Sequence, residues 1–290
     1  MIDAKSSLRG ETGMSSEVDT KEYVRTIESI ANSRHRIRDT FRDCCRMYAL
    51  SLHSPLVIDP EEKQNVEDEF AKIRDSYTKD EYKLIQKSFA QLAIGLQKSP
   101  RDFLGVVLEE LACNCKELGQ FFTPSCVARL MAQVNIDEEF VKNHKRGEII
   151  TLNDPACGAG VLLIEQAMDL IQKGIPQGDI LVFAEDLDPL SFTIVYTQLS
   201  LLGIAGICTR RNSLSLQIFE GPWYTVGYFL HGMPRRSRRS EWSDLELGHA
   251  GVGNMKVPES STEDETRSDD EEAKTDSTSE KKSVVQMELF

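Results

Sequence analysis

Apolar residues recur every three or four positions along the first part of the chain, which is the spacing of one helix face. The pattern covers four stretches, each bounded by polar residues or by a proline: 18–52, 60–77, 80–96 and 102–113. No stretch before residue 115 shows strand-like alternation or a short apolar run of strand type. The sequence therefore predicts an all-helical domain over residues 18–115.

The pattern changes after residue 115. Short apolar runs at 148–153 and 180–184, with a weaker one at 205–209, alternate with helical stretches at 161–172 and 189–202. Strands that alternate with helices are typical of parallel βαβ units. The sequence therefore predicts an α/β fold with a doubly wound sheet over residues 116–230.

Two of the predicted strands end in residues suited to ligand binding. The first runs into Asp154-Pro-Ala-Cys-Gly-Ala-Gly160, and the second into Glu185-Asp-Leu-Asp-Pro189. Ligands of doubly wound sheets bind at the carboxyl ends of the strands. Glycine lets the backbone approach a ligand closely, and an acidic residue on the next strand can accept hydrogen bonds from a ribose. A glycine turn with a downstream acid is also found as a purely structural turn, so this alternative stays open.

These strings resemble a known family. Gly119-Gln-Phe-Phe-Thr-Pro124, the glycine-rich string and the acidic string occur in the order found in N6-adenine DNA methyltransferases, and Leu201-Leu-Gly-Ile204 follows them. Modification subunits of type I restriction systems are the nearest relatives in this pattern. The resemblance covers about residues 100–215, with a helical domain before it. It implies a class I, Rossmann-like methyltransferase fold with S-adenosylmethionine as cofactor.

The resemblance also implies which residues hold the cofactor. Asp154 would receive its ammonium group, and Asp186, with Asp188 as the rival, would hold the ribose. The full expected set is Phe122, Thr123, Pro124, Asp154, Ala156, Gly158, Gly160, Asp186 and Asp188.

One family motif is missing. Family enzymes carry [DN]-P-P-[FYW] to bind the target adenine after it is flipped out of the duplex. No Pro-Pro pair occurs in the chain, and the nearest string, Gly221-Pro-Trp-Tyr224, has one proline and no Asn or Asp. About three of the family's seven strands are visible. We therefore expect a truncated domain with the cofactor half alone, and assign no catalytic residue.

Charge and composition limit the class of protein. The net charge of the chain is −13. Residues 259–290 contain eleven acidic and four basic residues and so carry −7, which leaves −6 on residues 1–258. Residues 1–17 and the basic-then-acidic linker 231–282 are expected to be disordered. A basic cluster in this linker could bind phosphates or be solvated linker: Arg235, Arg236, Arg238 and Arg239. Contact with DNA is therefore expected to be weak or indirect.

Other features favour a cytoplasmic protein. No apolar run is long enough for a membrane helix, and the first ten residues lack the apolar core of a signal peptide. Seven scattered cysteines do not form a disulfide framework. Cys113 and Cys115 lack further ligands to complete a metal site, so we predict no metal.

The last eight residues, 283–290, form an apolar segment after the acidic linker. Their end, Gln286-Met-Glu-Leu-Phe290, resembles the pentapeptide that binds the bacterial sliding clamp. The resemblance implies that Gln286, Met287, Leu289 and Phe290 contact the clamp. Alternatively, the segment folds back onto its own domain.

Three functions agree with the sequence. The first is an N6-adenine DNA methyltransferase-like protein that binds S-adenosylmethionine and associates with DNA without methylating it alone. The second is an active methyltransferase completed by a second methyltransferase or specificity subunit. The third is a non-catalytic regulatory protein that the sliding clamp recruits to DNA.

Overall fold

The computed structural model describes residues 20–31, 34–113, 123–136, 138–233 and 285–288. Several predicted features lie outside these residues: the segment 1–17, Phe122, the four-arginine cluster, most of the linker 231–282, and the last two residues of the proposed clamp peptide.

Within the described residues, seven α-helices precede the sheet: α1 (20–30), α2 (Ile37–His53), α3 (Pro60–Arg74), α4 (Lys79–Lys98), α5 (Phe103–Cys113), α6 (Ser125–Asn135) and α7 (Glu138–Asn143). Local signals set their starts. Thr78 accepts a hydrogen bond from the Glu81 amide, and the Glu81 side chain accepts one in return, which is a capping box at the start of α4. The stretch that the spacing predicted as one helix over 18–52 is two helices, because Arg36 has an extended backbone.

The second half alternates strands and helices in this order: β1 (Ile150–Asp154), α8 (Val161–Gln172), β2 (Ile180–Asp186), α9 (Pro189–Leu201), β3 (Ala205–Arg211), β4 (Ile218–Tyr224), α10 (Val226–Leu230) and β5 (Val285–Glu288). The strand order in the sheet is β4-β3-β2-β1-β5. Strands β1, β2 and β3 are parallel, β5 is parallel to β1, and β4 is antiparallel to β3. The predicted α/β fold, a helical N-terminus followed by a Rossmann-like sheet, is confirmed.

Helix α9 forms the centre of the molecule. All ten residues from Ser191 to Ser200 are buried, because the helix packs on the sheet and also against α2, α4 and α5. Its sequence accordingly lacks a polar face. The helical segment and the sheet therefore share their apolar cores.

An aromatic cluster joins α2 to β4. The ring of His53 stacks on Trp223 with 3.9 Å between ring centroids. Arg46 lies over the same indole and forms ion pairs of 2.7 Å with Glu69 and Glu220. These contacts fix the first half of the chain against the far edge of the sheet.

None of the helices in the described ranges is long and apolar enough to cross a membrane.

Candidate functional site

The site begins in the turn between β1 and α8. The Asp154 carboxylate accepts a hydrogen bond from the Ala156 amide at 3.0 Å, which stabilises the turn immediately after β1. The Cys157 amide donates to the carbonyl oxygen of Glu185 at 2.9 Å. Asp154 is buried and Ala156 is exposed. The turn therefore leads from the sheet core to the surface and is tied to the neighbouring strand β2.

Asp186, the last residue of β2, links the two strand ends. One carboxylate oxygen accepts a hydrogen bond from the Gly158 amide and the other from the Asp188 amide, both at 2.8 Å. This brings Asp154, Gly158 and Asp186 together, as the sequence predicted. Asp188 has a structural role: its carboxylate accepts a hydrogen bond from the Ser191 amide at 2.8 Å and caps the N-terminus of α9. Of the two rivals, Asp186 is the one aimed at the glycine turn.

The carboxylates of Asp154 and Asp186 make the carboxyl edge of the sheet, where β1 and β2 end, negatively charged. Burial raises the pKa of Asp154, and the nearby Asp186 charge raises it further. Burial likewise raises the pKa of Asp186, with Asp188 adding to the rise. Within the part of the chain that the structure describes, neither carboxylate forms an ion pair, whereas the neighbouring Glu185 is paired with Arg211 at 2.7 Å. A ligand that carries positive charge and hydroxyl donors would complement this edge.

The two glycines of the turn serve different purposes. Both have positive φ, +55° at Gly158 and +87° at Gly160, which favours glycine. A Cβ atom on Gly158 would meet nothing within 4 Å, so its backbone lies beside open space. A Cβ on Gly160 would come within 2.5 Å of Cγ2 of Val195. Gly160 therefore lets α9 approach the turn, and Gly158 is the glycine that leaves room for a ligand.

Gln198 on α9 anchors the turn from behind. Its amide nitrogen donates to the Ala159 carbonyl at 3.2 Å and to Asp102 at 2.9 Å. Its carbonyl oxygen accepts from the amides of Phe103 and Leu104, at 2.7 and 2.9 Å, at the start of α5. One fully buried side chain thus connects the glycine turn with two helices.

The end of β3 contributes residues that sequence reasoning did not assign to the site. The Ser213 hydroxyl donates to the Pro155 carbonyl, which places the β3–β4 turn beside the glycine turn. The Asn212 side chain accepts from the amides of Leu214 and Ser215 and shapes this turn. Leu214 is 98% exposed. The sequence could have indicated this turn, because the string Asn212-Ser-Leu214 follows a predicted strand, as do the two strings assigned to the site after β1 and β2.

The remaining predicted residues are placed as follows. Pro124 precedes α6, and α6 packs against α8 through the buried Ala128 and Ala132. Thr123 is partly buried and lies just before Pro124.

The string Gly221-Pro-Trp-Tyr224 lies inside β4 and not in a loop after a strand, and Trp223 is buried in the aromatic cluster.

Comparisons with known proteins point to one family. Residues 101–220 match the family model of the N-6 DNA methylases. The chain is 24% identical over 187 residues to the type I restriction enzyme MjaIX methylase subunit of Methanocaldococcus jannaschii. That alignment covers 61% of this chain and 31% of the relative, so the chain spans about a third of the length of that curated relative.

Two solved structures are similar over most of the chain. A candidate class I S-adenosylmethionine-dependent methyltransferase from Listeria monocytogenes is 16% identical, with a TM-score of 0.37, over 75% of this chain and 70% of that one. The methyltransferase subunit of a type I restriction-modification system from Streptococcus thermophilus is 14% identical, with a TM-score of 0.34, over 66% of this chain and 56% of that one. These values are too low to transfer any property of either protein.

The family-model match covers the candidate site. The family-model match includes the glycine turn, Asp186 and the β3–β4 turn, which the structure brings to one edge of the sheet. Over residues 101–220 this chain is therefore similar to the N-6 DNA methylases, and its 24% identity to the type I methylase subunit agrees with that similarity.

Proposed function

We propose that this protein binds S-adenosylmethionine at the carboxyl edge of β1 and β2 and acts as an N6-adenine DNA methyltransferase-like protein. The observation that carries the proposal is the pair Asp154 and Asp186, two carboxylates without a counter-ion among the described residues, beside the open backbone of Gly158. S-adenosylmethionine is the cofactor expected from the family match. When bound, it supplies a methyl group on a positively charged sulfur.

The residues of this edge fit such a ligand by charge and by hydrogen-bonding capacity. Asp154 would attract the ammonium group, and burial strengthens that interaction because little water competes for it. Asp186 has an acceptor lone pair left on each oxygen after its two backbone hydrogen bonds, and these could receive ribose hydroxyls. Gly158 gives the ligand room at the backbone, and Thr123 and Pro124 would line its methionine end.

We further propose that this chain alone does not methylate DNA. The support is the sequence, which contains no [DN]-P-P-[FYW] string, while the nearest substitute is part of β4. Without groups that hold the adenine amino nitrogen in line with the methyl group, the reaction loses the contribution of orientation. Purified chain incubated with DNA and methyl-labelled cofactor should transfer no label above background. Robust transfer by the isolated chain would overturn this part.

A second candidate function is an active methyltransferase completed by another polypeptide. The missing [DN]-P-P-[FYW] string, which a partner chain could supply, favours this alternative. Adding extract of the host cell to the labelled-methyl assay separates the two candidates. Label that enters adenine only when extract is present, and is lost when the chain is left out, would favour the completed enzyme.

The cofactor site is tested by calorimetry. The wild-type chain should bind S-adenosylmethionine in the micromolar range. Asp154→Ala should weaken binding by about one to two orders of magnitude, because a charge-assisted hydrogen bond contributes ~1.5–3 kcal/mol. Asp154→Asn keeps an oxygen for the Ala156 amide but removes the charge, so it separates ligand recognition from the shape of the turn. The exposed Asp68→Ala on α3 is the control, and equal affinity of all variants would place the site elsewhere.

The C-terminal peptide supports a proposed partner, the bacterial sliding clamp. A peptide of residues 279–290 should bind the clamp, and Leu289→Ala with Phe290→Ala should abolish binding, because each apolar side chain contributes ~1.5–3 kcal/mol when buried. Gln286→Ala should weaken binding less. Absence of binding at high micromolar clamp would identify the match as accidental. Such tethering would hold the acidic chain near DNA without a large basic surface.

A further inference from the structure

Strand β1 is paired on both sides. On one side it pairs with β2, from Ile150 opposite Ile180 to Asp154 opposite Ala184. On the other side it pairs with the C-terminal segment 285–288, from Ile150 opposite Val285 to Asn153 opposite Glu288. The chain's own end therefore occupies the second edge of the strand that leads into the glycine turn.

The second edge of β1 needs a partner. Ile150 and Leu152 are almost fully buried, and the strand lies beside the most buried part of the sheet. An open edge at this position would present a row of unpaired N–H and C=O groups, which is the template that other strands recognise. Among the described residues, segment 285–288 alone pairs with this edge.

The direction of β5 connects it with the candidate site. Because β5 runs parallel to β1, its carboxyl end lies at the same edge of the sheet as Asp154 and the glycine turn. Glu288 is in register with Asn153, one residue before Asp154. Strand β5 therefore ends beside the turn that carries Asp154 and Gly158.

The pairing has the features of a weak contact. It extends over four residues, and among the described elements β5 packs substantially against β1 alone. A strand held in this way can be exchanged.

We propose that the outer edge of β1, residues 150–153, is a docking site for the chain's own C-terminal segment, which pairs there as an exchangeable parallel strand. Docking closes the sheet beside the glycine turn. It also occupies the backbone of residues 285–288, so a docked segment is withheld from any other protein that binds it in an extended form. The proposal does not depend on whether the edge site binds S-adenosylmethionine.

Hydrogen exchange on the full-length chain tests the proposal. Gln286→Pro with Met287→Pro removes two backbone donors from β5 and should prevent pairing. The amides of β1 that bond to β5 should then exchange at least tenfold faster, while the amides of β2 stay unchanged and show that the sheet is intact. Ser277→Pro with Thr278→Pro, placed before β5, is the matched control and should exchange like the wild type.

A synthetic peptide of residues 283–290 provides the second measurement. Added in excess to the β5 proline variant, it should restore the slow exchange of the β1 amides, because the edge is now open to a strand in trans. Equal exchange in the wild type and the β5 variant would overturn the proposal, since the segment would then not cover β1. Faster exchange that the peptide fails to reverse would overturn it as well, because the edge would not recognise this segment.

Discussion

Replacing Gln198 with leucine should destabilise the whole molecule more than any surface substitution. Leucine has a similar volume but accepts and donates no hydrogen bonds. The amides of Phe103 and Leu104 lose their acceptor and the Ala159 carbonyl loses its donor, while Asp102 loses one donor and keeps the Gly105 amide. Each buried polar group left without a partner costs about 1–3 kcal/mol. Allowing for relaxation, we expect the free energy of unfolding to fall by about 3–5 kcal/mol.

Urea unfolding of the purified chain measures this loss, read from the midpoint at constant slope. Gln97→Leu, on the exposed side of α4, is the matched control and should change the free energy of unfolding by about 0.5 kcal/mol or less. A loss below about 1 kcal/mol for Gln198→Leu would refute the reasoning, because the four hydrogen bonds would then contribute little to stability.

Gln198→Glu separates the two halves of the network. A glutamate keeps acceptors for the two α5 amides but turns a donor into an acceptor facing Asp102, whose pKa burial already raises to about 6. The loss should be largest at pH 8, where both carboxylates are charged, and should shrink as the pH falls towards 5 and one becomes protonated. A loss that does not change with pH would show that Asp102 does not take part.

Two more predictions concern stability. Burial, and to a smaller extent the Arg46 charge, lowers the pKa of His53 from 6.5 to about 4. The neutral imidazole therefore stabilises the fold fully above pH 6.5, and this stabilisation is lost as the pH falls towards 4. The loss should reach about 3 kcal/mol, and His53→Phe should abolish this part of the pH dependence of urea unfolding. Gly160→Ala should lower the free energy of unfolding by about 2–4 kcal/mol, through its positive φ and the clash with Val195, while Gly158→Ala, which meets no neighbour, should lower it less. Equal losses for the two glycine variants would contradict the packing role of Gly160.

The helices and strands with a clear hydrophobic pattern could be predicted from the sequence. The predicted helix at 161–172 matches α8, and the run at 180–184 forms the first five residues of β2, because both face an apolar core on one or both sides. The position of the candidate site was also predictable, because parallel strands end at the same edge of a sheet and so bring Asp154 and Asp186 together. This inference needs no knowledge of side-chain contacts.

The elements that sequence reasoning missed are those whose local signals conflict. Gly221 and Pro222 argue against a strand, yet β4 tolerates them because it is an edge strand with a single neighbour. Helix α6 exposes the apolar residues Val127, Leu130 and Val134, so its pattern does not show which side is buried. The pairing of β5 with β1 joins residues more than a hundred positions apart, and no local pattern specifies it.

The central position of α9 has a consequence for biosynthesis. Helix α2 ends at His53, but α9, against which it packs, is complete only at Leu201. At translation rates of ~5–20 residues per second, the apolar face of α2 waits on the order of ten seconds for its partner. During that interval the nascent helices must pair with one another or be held by chaperones. Synonymous changes that slow translation between residues 54 and 201 should therefore increase aggregation of the newly made chain, although the finished protein is identical.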